Sequence, residues 1–123
     1  MWDKELVKDL MELIIENLDT VKDRTKDIYC ADDFSSNEQG MILLDSTCMK
    51  LAAIGESIKN LDKISNKQLL SNYPEVPWKQ VMGMRDIIVH HYFDIDAEVI
   101  LKTIKEDVPF LIKTLSKIYK ELE

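Results

Sequence analysis

The chain has 123 residues and a formal net charge of -7, enough for one domain with a core that needs no staples. A chain this acidic gains no general attraction to nucleic-acid phosphates, so any RNA chemistry must depend on a local cationic site. The charged start Met1-Trp2-Asp3-Lys4-Glu5 is not followed by a long apolar run. Neither a signal peptide nor a membrane-spanning helix is expected, and a cytoplasmic protein is. Cys30 and Cys48 form no C-x-x-C pair and match no zinc spacing, so both are expected free and reduced.

In chain order, the apolar pattern is helical almost throughout. Leu6, Leu10, Leu13, Leu18, Val21 and Ile28 recur at helical spacing, widened by Val7, Met11 and Ile14, and predict one amphipathic helix over about residues 2–29. The polar segment 30–36 reads as a loop. Ser35-x-x-Glu38 and Ser36-x-x-Gln39 both fit a capping box and predict the start of a second helix, carried by Leu44, Cys48, Leu51, Ile54, Ile58 and Leu61. Ser65-x-x-Gln68 predicts a short third helix that stops before Tyr73-Pro74. Pro77 suits the first turn of a fourth, since its missing N–H would have no helical partner there. That helix holds Trp78, Val81, Met84, Ile88 and Tyr92. Asp94 or Asp96 can cap a last helix running from Val99 to Ile118, bent at Pro109. Gly55 and Gly83, inside helices, suggest close helix approach, and Trp78 suits packing at one end of the bundle. No repeat and no strand-period segment interrupts the pattern. The fold class is all-α: an antiparallel bundle of four long helices and one short one, residues 1–123 as a single domain.

The chemistry concentrates in Met84-Arg85-Asp86-Ile87-Ile88-Val89-His90-His91-Tyr92-Phe93. On an ideal helix Asp86 and His90, four apart, share a face, and Asp86 can orient the imidazole. Arg85 and Tyr92, seven apart, share another. Arg85 and His90 are five apart, about 140° around the helix, so one straight helix presents them poorly to a single small group. Two copies across a two-fold axis would do better. Histidine, with a reference pKa of about 6.5, gives and takes protons near neutrality. Arginine can hold two phosphate oxygens as charge builds on them. The pair suits phosphodiester cleavage, in which RNA brings its own 2′-hydroxyl nucleophile and needs no metal in principle. The adjacent His90 and His91 point to different faces and make a poor metal pair. The same residues also fit a solvated Arg85–Asp86 pair, a half-buried histidine and a packing tyrosine.

The wider sequence carries more than this spacing. Arg85-x4-His90-x-Tyr92 resembles the R-x4-H-x-Y motif of the HepT toxins, a branch of the HEPN superfamily. Ile54-Gly55-Glu56, Tyr73-Pro74-Glu75-Val76-Pro77-Trp78, Gly83-Met84-Arg85 and Tyr92-Phe93-Asp94-Ile95-Asp96 also look like that family. The resemblance implies a dimeric helical bundle that cleaves RNA without a metal or other cofactor, with Arg85 and His90 as catalytic pair. It also implies an MntA-type nucleotidyltransferase antitoxin that silences the toxin by transferring AMP from ATP to Tyr92, in a type VII toxin–antitoxin system. Many relatives have Asn after the arginine where this chain has Asp86, a charge that can orient His90, repel RNA phosphate or pair off Arg85. Glu56 is placed to support Arg85 as an acceptor, or to lie on the surface.

Two function classes follow from these residues. One is a metal-independent endoribonuclease acting as a toxin. The other is a non-catalytic, substrate- or nucleotide-binding subunit that docks a minimal nucleotidyltransferase and presents Tyr92 to it.

Overall fold

The computed structural model describes residues 2–122, and every regular element among them is helical. In chain order these are α1 (Lys4–Arg24), α2 (Asp32–Ser35), α3 (Glu38–Ile64), α4 (Trp78–Met82), α5 (Met84–His90), α6 (Ala97–Lys102) and α7 (Val108–Glu121). A π turn, Thr103–Asp107, joins α6 to α7 without a break. The four long spans expected from the sequence are α1, α3, the α4–α5 pair and the α6–α7 rod.

Cross-helix contacts fix the directions. Arg24 and Asn17 of α1 bond Ser46 and Lys50 of α3, so one chain rises as the other falls. Tyr119 pairs with Glu12 while Lys105 reaches the Thr25 carbonyl, which sets α7 antiparallel to α1. Tyr92 meets Asp45, and Gly55 lies against Val81 and Met84, which sets α5 antiparallel to α3. The bundle is all-α and HEPN-like, with α3 shared between the α1–α7 side and the α5 side.

α1 is capped by Asp3, whose side chain accepts from the Leu6 amide at 3.1 Å. Its buried seam is Val7, Met11, Ile14, Leu18 and Val21, an alternating four–three spacing that keeps one stripe inward. Leu6 and Leu13, which head the expected stripe, are instead about half exposed. The helix stops short of residue 29. Thr25 is buried and its hydroxyl donates back to the Val21 carbonyl at 2.8 Å, and the turn lets Ile28 pack inward.

The expected loop over 30–36 winds a helical turn, because Phe34 within it is fully buried. The Asp33 carboxylate accepts from the Tyr29 and Cys30 amides, and these bonds hold it below its ordinary pKa. The cap of α3 is neither Ser35 nor Ser36 but Asn37, which accepts from the Gly40 amide at 2.7 Å. Gly40 packs so tightly under α2 that a Cβ there would stand 2.2 Å from the Asp33 carbonyl oxygen.

Ser65 does not start a helix; it ends α3. The Lys67 amide bonds the Asp62 carbonyl and the Asn66 amide the Lys63 carbonyl, with Asn66 and Lys67 both at positive φ. That is a Schellman stop. Only a 3₁₀ turn, Leu70–Asn72, follows where a third helix was expected. The predicted fourth helix is also divided: Pro77 is the N-cap of α4, and Gly83 separates α4 from α5. Trp78 is buried at this end of the bundle and donates to the Tyr73 carbonyl at 2.9 Å. Asp96, not Asp94, caps α6, accepting from the Glu98 amide. At Pro109 the chain takes the wider π turn just before the ring, with the Val108 amide reaching the Thr103 carbonyl. Cys30 is exposed and Cys48 buried, and both are free.

Candidate active site

α5 is only seven residues long and has no side-chain cap, so its position depends on packing against α3. Ile88 is its buried anchor. Gly55 of α3 permits the approach: a Cβ there would lie 2.8 Å from the Val81 oxygen and 3.1 Å from Met84 Cβ. The close contact expected of Gly55 is therefore present. Gly83 has no such contact, since a Cβ there would meet nothing nearer than 3.4 Å. With Ile88 inward, helical geometry turns Asp86 and His90 to the solvent side and puts Arg85 on a flank, about 140° from His90.

The side chains follow that geometry. Arg85, Asp86 and His90 are all exposed. Arg85 Nη1 donates to Asp86 Oδ1 at 3.1 Å. Asp86 thus pairs with the arginine and not with His90, whose imidazole makes no hydrogen bond or ion pair among the described residues. Sharing a helix face brings Asp86 and His90 near each other, but the guanidinium next door offers a fixed positive charge that the imidazole does not. Glu56 is exposed and makes no ion pair with Arg85, whose partner among the described residues is Asp86. His91 Nδ1 lies 3.8 Å from Asp94.

Tyr92 falls outside α5, in a 3₁₀ turn, Tyr92–Asp94. Its hydroxyl donates to Asp45 Oδ1 of α3 at 2.7 Å, and this bond raises the phenol above its ordinary pKa. The ring meets Phe93 edge to face, with centroids 5.7 Å apart. The sequence reading did not single out Asp45. The signal for it is the antiparallel register: Gly55 opposite Met84 and Arg85 places the mid-forties of α3 opposite the chain that follows α5.

These polar groups stand in apolar surroundings. An open groove of about 570 Å³ is lined by the apolar Met49, Ala52, Ile88 and Val89 together with Asp45, Ser46 and Tyr92. Met49, Ile87, Val89 and Phe93 are more than half exposed, Phe93 fully. Met41 and Met49 lie on the surface. Among the described residues no group of three or more His, Cys, Asp or Glu side chains is placed to hold a metal ion. No described helix is long and apolar enough to cross a membrane.

An all-helical bundle with Arg85 and His90 on an exposed short helix and Tyr92 in the turn that follows it, spaced as R-x4-H-x-Y, is the pattern of a HEPN-type protein. Residues 14–118 match the family described as ribonuclease HepT-like, and the chain belongs to that family. It is 34% identical over 113 residues to a Thermococcus cleftensis protein named "Probable ribonuclease HepT", covering 92% of this chain and 96% of that one. It is 32% identical over 120 residues to a Methanocaldococcus jannaschii protein named "Putative RNase MJ0127", covering 98% of this chain and 93% of that one. A second protein of that organism joins a gamma-glutamylcyclotransferase to an inferred RNase; it is 32% identical over 95% of this chain and 49% of its own length. No solved structure matched the chain.

Proposed function

We propose that this chain is a metal-independent endoribonuclease, the toxin of a type VII toxin–antitoxin pair acting in the cytoplasm. His90 and Arg85 are its catalytic pair and Tyr92 its regulatory residue. The observation that carries the reading is the exposure of this motif, unburied and beside apolar surface, in a chain of the ribonuclease HepT-like family. In the reaction the RNA 2′-oxygen attacks the neighbouring phosphorus and the 5′-oxygen leaves. His90 exchanges the protons of these oxygens, and Arg85 stabilises the charge that builds on the phosphoryl oxygens.

One protomer offers Arg85 and His90 on divergent faces of α5, and its apolar neighbours Ile87, Val89 and Phe93 face outward. A homodimer across α5 would cover those side chains and set two such pairs around one groove. RNA binding then separates Arg85 from Asp86, because a phosphate offers the guanidinium a bidentate partner. The same Arg85–Asp86 pair supports the second reading, a non-catalytic subunit that docks a nucleotidyltransferase. In either reading an MntA-type nucleotidyltransferase adds AMP from ATP to Tyr92. In the first, the added phosphate competes for Arg85 and the nucleoside occludes the groove.

The test is cleavage of RNA by the purified, unmodified chain in excess EDTA, beside His90→Ala. Cleavage that survives the chelator and is lost in His90→Ala supports the enzyme. Absence of cleavage by the wild-type chain, or a background signal that His90→Ala leaves unchanged, favours the docking subunit, and a monomer by light scattering at micromolar concentration counts against the composite site. Tyr92→Phe is expected to cleave RNA and to escape silencing.

A further inference from the structure

The contact between Tyr92 and Asp45 joins two elements 47 residues apart in sequence, in the lining of the groove beside α5. We propose that Asp45 orients the Tyr92 hydroxyl and takes its proton when that oxygen receives a nucleotide. The proposal rests on the reading of Tyr92 as the acceptor and adds the group that makes the acceptor competent.

A phenol is a weak nucleophile until its proton has somewhere to go. Here the Asp45 carboxylate accepts that proton's hydrogen bond at 2.7 Å, within general-base reach. An ordinary phenol, with a pKa of about 10, is neutral near pH 7, and the bond to Asp45 raises it further, so the oxygen needs a base at the moment of attack. Both side chains are exposed, so a macromolecular donor can reach the oxygen. The apolar Met49, Ala52, Ile88 and Val89 line the same groove, a surface against which a nucleobase can rest.

Tyr73 and Tyr119 make the same kind of pair, with Glu121 and Glu12. A carboxylate partner alone therefore does not select the acceptor; the groove beside Tyr92 does, and the other two tyrosines serve as internal controls.

Tyr92 Oη attacks the α-phosphorus of a nucleoside triphosphate held by the partner transferase. The new Oη–P bond forms as the bond from that phosphorus to the bridging oxygen breaks, and pyrophosphate departs with the electron pair. The phenolic proton passes to Asp45 and from there to water. The product has no hydroxyl left to donate, and its phosphodiester anion faces the Asp45 carboxylate. Modification therefore also releases the 92–94 turn from α3.

The experiment uses the whole chain, purified nucleotidyltransferase and magnesium ATP, with AMP incorporation followed by intact-protein mass and peptide mapping. Wild type, Asp45→Asn, Asp45→Glu and Tyr92→Phe are compared. Asp45→Asn is expected to slow transfer on the order of 10²-fold in kcat with KM for ATP nearly unchanged, and Asp45→Glu to recover part of the rate. A wild-type rate in Asp45→Asn overturns the role of Asp45 and leaves the acceptor reading standing. AMP on Tyr92→Phe, on Tyr73 or Tyr119, or no AMP on the wild type, overturns the acceptor reading and Asp45 with it. A second measurement needs no partner. Ultraviolet titration should show one tyrosine ionising at lower pH in Asp45→Asn than in wild type, a difference absent in the Tyr92→Phe background. No such difference would overturn the pairing itself.

Discussion

The two sides of α3 are built to different standards. Toward α1 and α7 the helices are long, α1 and the α6–α7 rod begin at the side-chain caps Asp3 and Asp96, and the seams close on Leu18, Ile58, Leu115 and Ile118, all fully buried. Toward α4 and α5 the helices have five and seven residues and no side-chain cap, and large apolar side chains face outward. The first side resembles a finished core. The second is held in place by Ile88, the Gly55 contact and the Tyr92–Asp45 bond, and its exposed groups are the candidates for chemistry. If the proposed site is the working one, stability rests mainly on the first side and activity on the second, and substitutions should separate them.

The largest effect is expected on activity alone. His90→Ala and Arg85→Ala should each lower RNA cleavage by roughly 10²–10⁴-fold, with an unchanged melting curve by circular dichroism, because both side chains are exposed. A large fall in melting temperature would break the separation. On the finished side, Leu115→Ala or Ile58→Ala should cost about 2–5 kcal/mol in urea unfolding, through lost burial and the cavity left behind. Gly55→Val lies at the boundary. Its side chain must displace the Val81 carbonyl or Met84, at a cost of about 1–3 kcal/mol, and it should also reduce cleavage by moving α5. Smallest is Lys67→Gly, remote from the site. It should stabilise by about 0.5–1 kcal/mol in urea unfolding by relieving a positive φ, with cleavage unaffected.

Periodicity made the long helices legible. The last helix shows this best: Ile100, Ile104, Val108, Leu111, Leu115 and Ile118 are buried as the pattern requires, Ile112 is half-buried, and of the expected stripe only Val99 at its start is exposed. In α1 the pattern was too rich, since Leu6 and Leu13 fit a stripe as well as Val7, Met11 and Ile14 do, and only packing against α3 and α7 chooses between them. Local capping signals were ambiguous for a different reason. Ser65-x-x-Gln68 fits a helix start, but the same hydroxyl can bond back to Leu61, as it does at 2.8 Å, and close the helix before it. Phe34 was hidden by its acidic and hydroxyl neighbours. At the site the sequence supplied Arg85, His90 and Tyr92, and the structure gave each its surroundings. Asp86 was open between two partners until the Arg85 bond was seen, and Asp45 needed the register of α3 against α5.

The two cysteines offer a built-in chemical reporter of this division. Burial pushes the Cys48 thiol up to about 11, so in the folded chain it is both shielded and protonated, and the thiolate is the reactive form. Cys30, at the surface between α1 and α2, is open to reagent. An alkylating dye added to the native chain should therefore enter once, at Cys30. Uptake of a second dye times the moments when α3 lifts from its neighbours, and a bound RNA or a second protomer that closes the face should lengthen that interval.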